Sequence, residues 1–215
     1  MTRTEILTRY RRLRQISNEH HHFVLDVVAN DVMLDCAKRL GLKTNGKSII
    51  HCSKNEMILV EDAATYLPRP GRSSPIDRYA RSAGFADGSD EAIVLDAMRN
   101  ARFSFWRVER RHEAAGLILR DLLRDEETWM VDESLEQFAK PGYEMAARLL
   151  KPEGFAINAR ITVPIVAELL EEVRARAQAL LQMQNTVLAS DPRLVIATYR
   201  SAVAIGLMDT VLMVD

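Results

Sequence analysis

From residue 4 to about residue 101 the apolar positions return every three or four residues, the period of helices that bury one face. Thr4 stands where a cap would, ahead of Ile6, Tyr10, Leu13 and Ile16. A second run, Phe23 to Leu40, carries a break signal at Asn30-Asp31 and a stop at Gly41. "SKNE" (Ser53 to Glu56) spells a capping box and predicts a helix through about Tyr66. Ser74, Pro75 and Asp77 mark another helix start, Ser89 marks a fourth, and "LPRPGRSS" between Tyr66 and Pro75 reads as loop.

Between Arg102 and Val163 the pattern shifts to short runs of aromatic and β-branched residues broken by turn signals. The predicted strands are "RFSFWRVERR", "GLILRDLL", "ETWMVDE", "YEMAARLL" and "FAINARITV". Their connections are too short for parallel crossovers, so neighbours are antiparallel. The expectation is an α+β protein with a small five-stranded antiparallel β-barrel or curled sheet of the SH3-like or OB-like kind. After Pro164 the helical period returns, with Val166, Leu170, Val173, Ala177 and Leu180 as the seam of a helix that packs along a neighbour. Ser190-Asp191-Pro192 then opens a final, largely apolar helix, which completes a C-terminal helical hairpin. The expected organisation is a helical region over 1–101, the sheet over 102–163 and the hairpin over 164–215. The apolar end "TVLMV" from Thr210 would need a cover, which makes a homo-oligomer the expected assembly.

Composition narrows the function classes. A formal net charge of −1 gives no whole-protein attraction to nucleic acid or to an anionic membrane. No apolar run reaches the roughly 18 residues of a spanning helix, and "MTRTEILTRYRRLRQ" lacks the core of a secretory signal, so a cytoplasmic protein without a membrane partner is expected. Cys36 and Cys52 are too few for a disulfide framework and are expected as buried thiols.

Three constellations suggest chemistry. Gly41, Gly46, Lys47 and Ser48 in "GLKTNGKS" fit the phosphate-loop pattern, in which backbone amides and a lysine cradle phosphates while a hydroxyl holds magnesium; Mg-nucleotide is the implied cofactor. The flanks run the wrong way for it: helical spacing precedes, Asn45-Gly46 is a turn pair, and "SIIHC" reads as a short strand. Glu19, His22 and Asp26 share one helical face and could ligate a divalent transition metal. Glu19-x-x-His22 resembles the Glu-x-x-His element of carboxylate-bridged di-iron bundles. "CAKRLGL" resembles the second helix and turn of a helix-turn-helix DNA-binding module, though Gly46 and Lys47 interrupt the recognition helix that should follow.

Arginine clusters at 9–14, 69–81 and 107–111 keep nucleic acid among the candidate partners, while the acids among them point to a solvated, charge-balanced surface. The acidic run Asp121, Asp125, Glu126, Glu127, Asp132 and Glu133 reads as a solvated hairpin. No nucleophile elbow and no H-E-x-x-H occurs. The leading expectation is a cytoplasmic, non-enzymatic binding or regulatory protein with nucleic acid as a candidate partner. A phosphoryl-transfer protein using Lys47 and Ser48 and a metal-binding protein using the His20–His22 segment are the alternatives.

Overall fold

The computed structural model describes residues 1–69 and 71–209. Five helices come first: α1 (Arg3–Asp26), α2 (Asn30–Leu40), α3 (Lys54–Tyr66), α4 (Pro75–Ser82) and α5 (Asp90–Arg99). The cap of α1 is Thr2, not Thr4, because Thr2-x-x-Glu5 closes a reciprocal box. The Glu5 carboxylate takes the Thr2 amide at 2.7 Å and the Thr2 hydroxyl takes the Glu5 amide. The second such box, Ser53 with Glu56, starts α3 as its letters predict, and Ser74 and Ser89 cap α4 and α5. The segment Ser48 to Cys52 is not a strand; a single bridge, Thr44 to Ile49, is all the pairing it makes.

Strands β1 (Arg102–Arg111), β2 (Leu117–Asp121), β3 (Glu126–Met130), β4 (Glu144–Leu150) and β5 (Ile157–Pro164) form one antiparallel sheet in the order β3-β2-β1-β4-β5. The ten-residue β1 lies at the centre, and Trp106 is paired with Asp121 on one side and Met145 on the other. Gly116 turns the chain between β1 and β2 at φ +80°, where a Cβ would stand 2.2 Å from the Met130 carbonyl oxygen. Only glycine fits there.

The expected barrel is not closed. A single parallel contact, Met130 with Ala156, joins the two edges at one corner, where Ala156 donates to the Trp129 carbonyl at 2.7 Å. Immediately beyond it Asp132 caps a short helix, α6 (Glu133–Phe138), which carries the chain away from β5. Past that corner β5 has no further strand partner among the described residues, and Arg14 of α1 holds its Asn158 and Ala159 carbonyls.

Three further α-helices follow, α7 (Ala167–Leu181), α8 (Asn185–Leu188) and α9 (Pro192–Ala204), and then one 3-10 turn at Leu207–Asp209. Of the seam expected for α7, Val173, Ala177 and Leu180 are buried in a core shared with α9, but Leu169 takes the place of Leu170, and Val166 is the N-cap, only partly buried. The apolar end expected to need a cover, 210–215, lies outside the described residues. No helix among the described residues is long and apolar enough to cross a membrane.

The alternation of each strand divides the interior. One sheet face supplies Trp106, Val108, Leu117, Leu119, Met130 and Met145, covered by Leu135 and Ala139 around α6. From the other, Phe103, Ala146, Ile161 and Val163 join α2, α3, α7 and α9 in the largest core. A third core packs α1, α4 and α5 on Leu150, Phe155, Ile157 and Ala159. The acidic run is not one solvated hairpin. Asp121 is buried, where it accepts from Ser104, Arg124 and the Leu123 amide, and Asp132 is buried at the start of α6.

Candidate functional site

Gly41 is the left-handed end of α2, at φ +86°, and there the Leu42 amide returns to the Ala37 carbonyl at 2.9 Å. The Lys47 and Ser48 amides do not converge on an empty centre. Both donate to the Asn45 side-chain oxygen, at 3.0 and 2.8 Å, and no helix opens after Ser48. Gly46, Lys47 and Ser48 are exposed on this turn, and the Lys47 and Ser48 amides point into it.

Glu19, His22 and Asp26 do share one face of α1, on its exposed side. His22 Nε2 is 3.8 Å from Asp26, and Glu19 accepts from Gln15. Among the described residues no three His, Cys, Asp or Glu side chains are gathered to hold an ion. The neighbouring histidines are buried. The His20 ring bridges the Tyr79 hydroxyl and the Glu91 carbonyl; His21 donates from Nδ1 to the Ser17 carbonyl at 2.7 Å and accepts at Nε2 from the Tyr66 hydroxyl at 2.8 Å. Both nitrogens of each ring are thereby occupied.

The arginine clusters end largely on carboxylates. Arg9 holds Asp90 and Glu153, Arg11 holds Glu133, Arg12 holds Glu91, Arg69 holds Asp31, Arg107 holds Glu144 and Arg110 holds Glu127. The 69–81 cluster is the exception: beyond Arg69, its Arg78 and Arg81 donate to Ser73 oxygens and keep their charge exposed.

What the fold does assemble is a groove of about 1150 Å³ beside the open edge of β5. Helix α1 forms one wall with Tyr10, Arg14 and His21; α6 and Tyr143 form the other; Asn158, Arg160 and Thr162 line the floor. The position of α1 is fixed by Arg14, which donates to the main-chain carbonyls of Asn158 and Ala159, the latter at 2.9 Å. At the rim Phe138 is 52% exposed, edge-on to Tyr143 at 5.8 Å.

The side-chain oxygen of Asn158 is buried with no hydrogen-bond partner among the described residues, although the residue lines the groove. An unsatisfied buried acceptor costs on the order of 1–3 kcal/mol, so a donor brought to it is strongly favoured. Burial, with the nearby charge of Asp132, pushes the Tyr10 phenol up to about 12. Burial also raises the Asp132 carboxyl, whose oxygen is spent on the Leu135 amide at 2.9 Å. Burial first, and the Arg160 charge second, hold His21 neutral, well below the usual imidazole range.

A chain of buried polar groups leads inward from the groove. His21 meets Tyr66, the Arg148 guanidinium lies 4.3 Å over the Tyr66 ring, and Arg148 clasps Asp62 through contacts of 3.0, 3.3 and 3.0 Å. Tyr199 donates to the same carboxylate at 2.9 Å. Burial opposes the Arg148 charge, but Asp62 outweighs it and keeps the guanidinium protonated, while burial and Asp62 drive both tyrosines upward. His21, Tyr66, Arg148, Asp62 and Tyr199 are thus engaged with one another behind the groove, while Glu19 and His22 line its exposed side on α1. What the groove presents outward is shape, an apolar rim and hydrogen-bonding capacity.

The sequence pattern does not single out Asn158 or Arg148, and it reads Tyr10 as a helix-face position and Asp132 as a hairpin acid. A signal existed for Asn158: Asn158, Arg160 and Thr162 alternate with Ile157, Ala159, Ile161 and Val163, so one face of β5 is polar. Nothing local announces that α1 and α6 flank that polar face.

Comparison with curated proteins and with solved structures finds no match in either. Residues 4–202 match the family described as "Family of unknown function (DUF7986)", and the chain belongs to that family.

Proposed function

We propose that this chain is a non-enzymatic binding protein whose groove receives an extended peptide segment of a partner. The observation that carries the reading is the open edge of β5 flanked by α1 and α6, with the orphaned Asn158 oxygen in the groove and Phe138 exposed at its rim. An added strand supplies what these groups lack: a main-chain N–H donor for the Asn158 side-chain oxygen and for the edge of β5 beyond the Asn158 and Ala159 carbonyls that Arg14 already holds, and a side chain for the aromatic rim. On this reading the sheet is an OB-like barrel left open, and the groove is its opening.

Selection of heptapeptides from a random displayed library on the full chain tests this. Enriched peptides should bind at least tenfold more weakly to Phe138→Ala and to Asn158→Leu, and methylation of alternate backbone nitrogens of a selected peptide should abolish binding. No enrichment, or binding indifferent to both substitutions and to methylation, would refute it.

Nucleic acid is less well supported as a partner. Trp129 of β3 has His112 stacked at 4.1 Å and Phe155 at 5.4 Å, and Arg110 and Arg120 both engage Glu127. Stacking platforms for single strands need a bare ring and unmatched cations.

A further inference from the structure

A second cavity, of about 580 Å³, lies at the inner end of the buried polar chain, between the start of β1 and the start of α9. Its lining includes Arg148, Arg124 and Arg102 together with the apolar surfaces of Leu67, Phe103 and Val195. Arg148 is only 6% exposed, and its donors are unequally used. Nε and Nη2 are taken by Asp62, whereas Nη1, with two N–H groups, has no hydrogen-bond partner among the described residues. A guanidinium offers five donors in a rigid fork, and a buried one with an idle nitrogen beside a cavity is a ready acceptor site.

The other cations are oriented by partners that leave the cavity itself unfilled. Arg124 is braced by Asp121 and the Ala189 carbonyl, and Arg102 reaches Glu126 at the mouth. The first amide of α9 is not the source of the site, since the Arg193 amide is spent on the Asp191 cap at 2.8 Å.

We infer that this cavity binds a small oxyanion on an apolar body, a carboxylate or phosphate whose oxygens accept from Arg148 Nη1 while its hydrocarbon part packs on Leu67, Phe103 and Val195. The cavity volume falls within the range of small-molecule sites, about 300–1,000 Å³. Asp62 behind the guanidinium and Glu126 at the mouth keep the cavity from being strongly cationic, so fit on the orphan nitrogen selects the ligand rather than charge alone. The site is separate from the groove, and its fate is independent of the peptide reading.

The test is calorimetric titration of the full chain with benzoate, phenyl phosphate and inorganic phosphate, with benzamide as the uncharged control. One saturable site is expected for benzoate or phenyl phosphate at millimolar concentration, with benzamide weaker. The stronger of the two names the head group, and binding of inorganic phosphate as tight as phenyl phosphate would remove the apolar body from the inference. Arg148→Lys keeps the charge but removes the Nη1 donors, and binding should weaken at least tenfold. Should that variant fail to fold, Ala101→Trp, which fills the cavity from its lining, decides alone. Asn158→Leu in the groove should leave the titration unchanged. Absence of saturable binding by every probe, or binding retained in Arg148→Lys or in Ala101→Trp, would overturn the inference.

Discussion

Replacing Asp62 by leucine removes one carboxylate and strands two groups at once. Arg148 and Asp62 have side chains only 7% and 2% exposed, and the carboxylate accepts three contacts from Arg148 and one from Tyr199. In Asp62→Leu the guanidinium is left as a buried cation without its counter-ion, a change that costs about 3–5 kcal/mol. For a chain of this length each kcal/mol moves the melting temperature by about 2–4 °C, so a fall of about 10 °C is expected.

The double variant Asp62→Leu with Arg148→Met replaces the pair by apolar side chains of similar volume. It should recover most of the loss, ending within about 1–2 kcal/mol of the parent, because no charge is then buried alone. Urea unfolding followed by circular dichroism gives the three free energies, and their cycle gives the coupling. A cost below about 1 kcal/mol for Asp62→Leu, or a double variant as unstable as the two single losses added, would refute the reasoning.

Acid should weaken the fold through His21 and His20, which burial holds below the usual imidazole range. Their contribution is complete above about pH 6.5 and is lost as pH falls, because the unfolded chain takes up protons that the folded chain refuses. The slope is at most about 1.4 kcal/mol per pH unit for a fully displaced group; urea midpoints between about pH 7 and pH 5 should show it, and a slope unaltered in His21→Gln would count against this origin. Gly116→Ala should cost more than about 3 kcal/mol or prevent folding, since the new Cβ meets the Met130 carbonyl at 2.2 Å in a left-handed turn. Gly46→Ala is the contrast: its φ of +85° is as unfavourable but nothing lies within 4 Å, so about 1 kcal/mol is expected, and equal losses at the two sites would sink the argument. Lys47→Ala should shift the unfolding free energy by no more than about 0.5 kcal/mol, because the side chain is exposed on its turn; a loss above 1 kcal/mol by urea titration would contradict that.

Much of the fold was legible because its signals are local. The caps at Ser53, Ser74 and Ser89 each speak within four residues, and β1 occupies the same Arg102–Arg111 that its alternation indicates. Helix α6 escaped notice because six residues give too few turns for a period, and Asp132 and Glu133 look like hairpin acids until the cap is seen. Barrel closure depends on where the chain goes after Met130, which no pattern within β3 records. The sites were illegible for a related reason: Arg148 sits in the apolar run "EMAARLL", and its partners Asp62 and Tyr199 are 86 residues before it and 51 after it.

The largest core joins Cys36, Leu59 and Ala63 to Leu169, Val195 and Tyr199. During synthesis the first three leave the ribosome 136 to 163 residues before Tyr199, a delay of roughly 7–33 seconds at about 5–20 residues per second. The parts of α2 and α3 that meet α9 must pass that interval uncovered. The nascent chain is therefore a natural client for a chaperone that shields helix surfaces until α9 arrives, and a ribosome stalled before α9 would display the unfinished core.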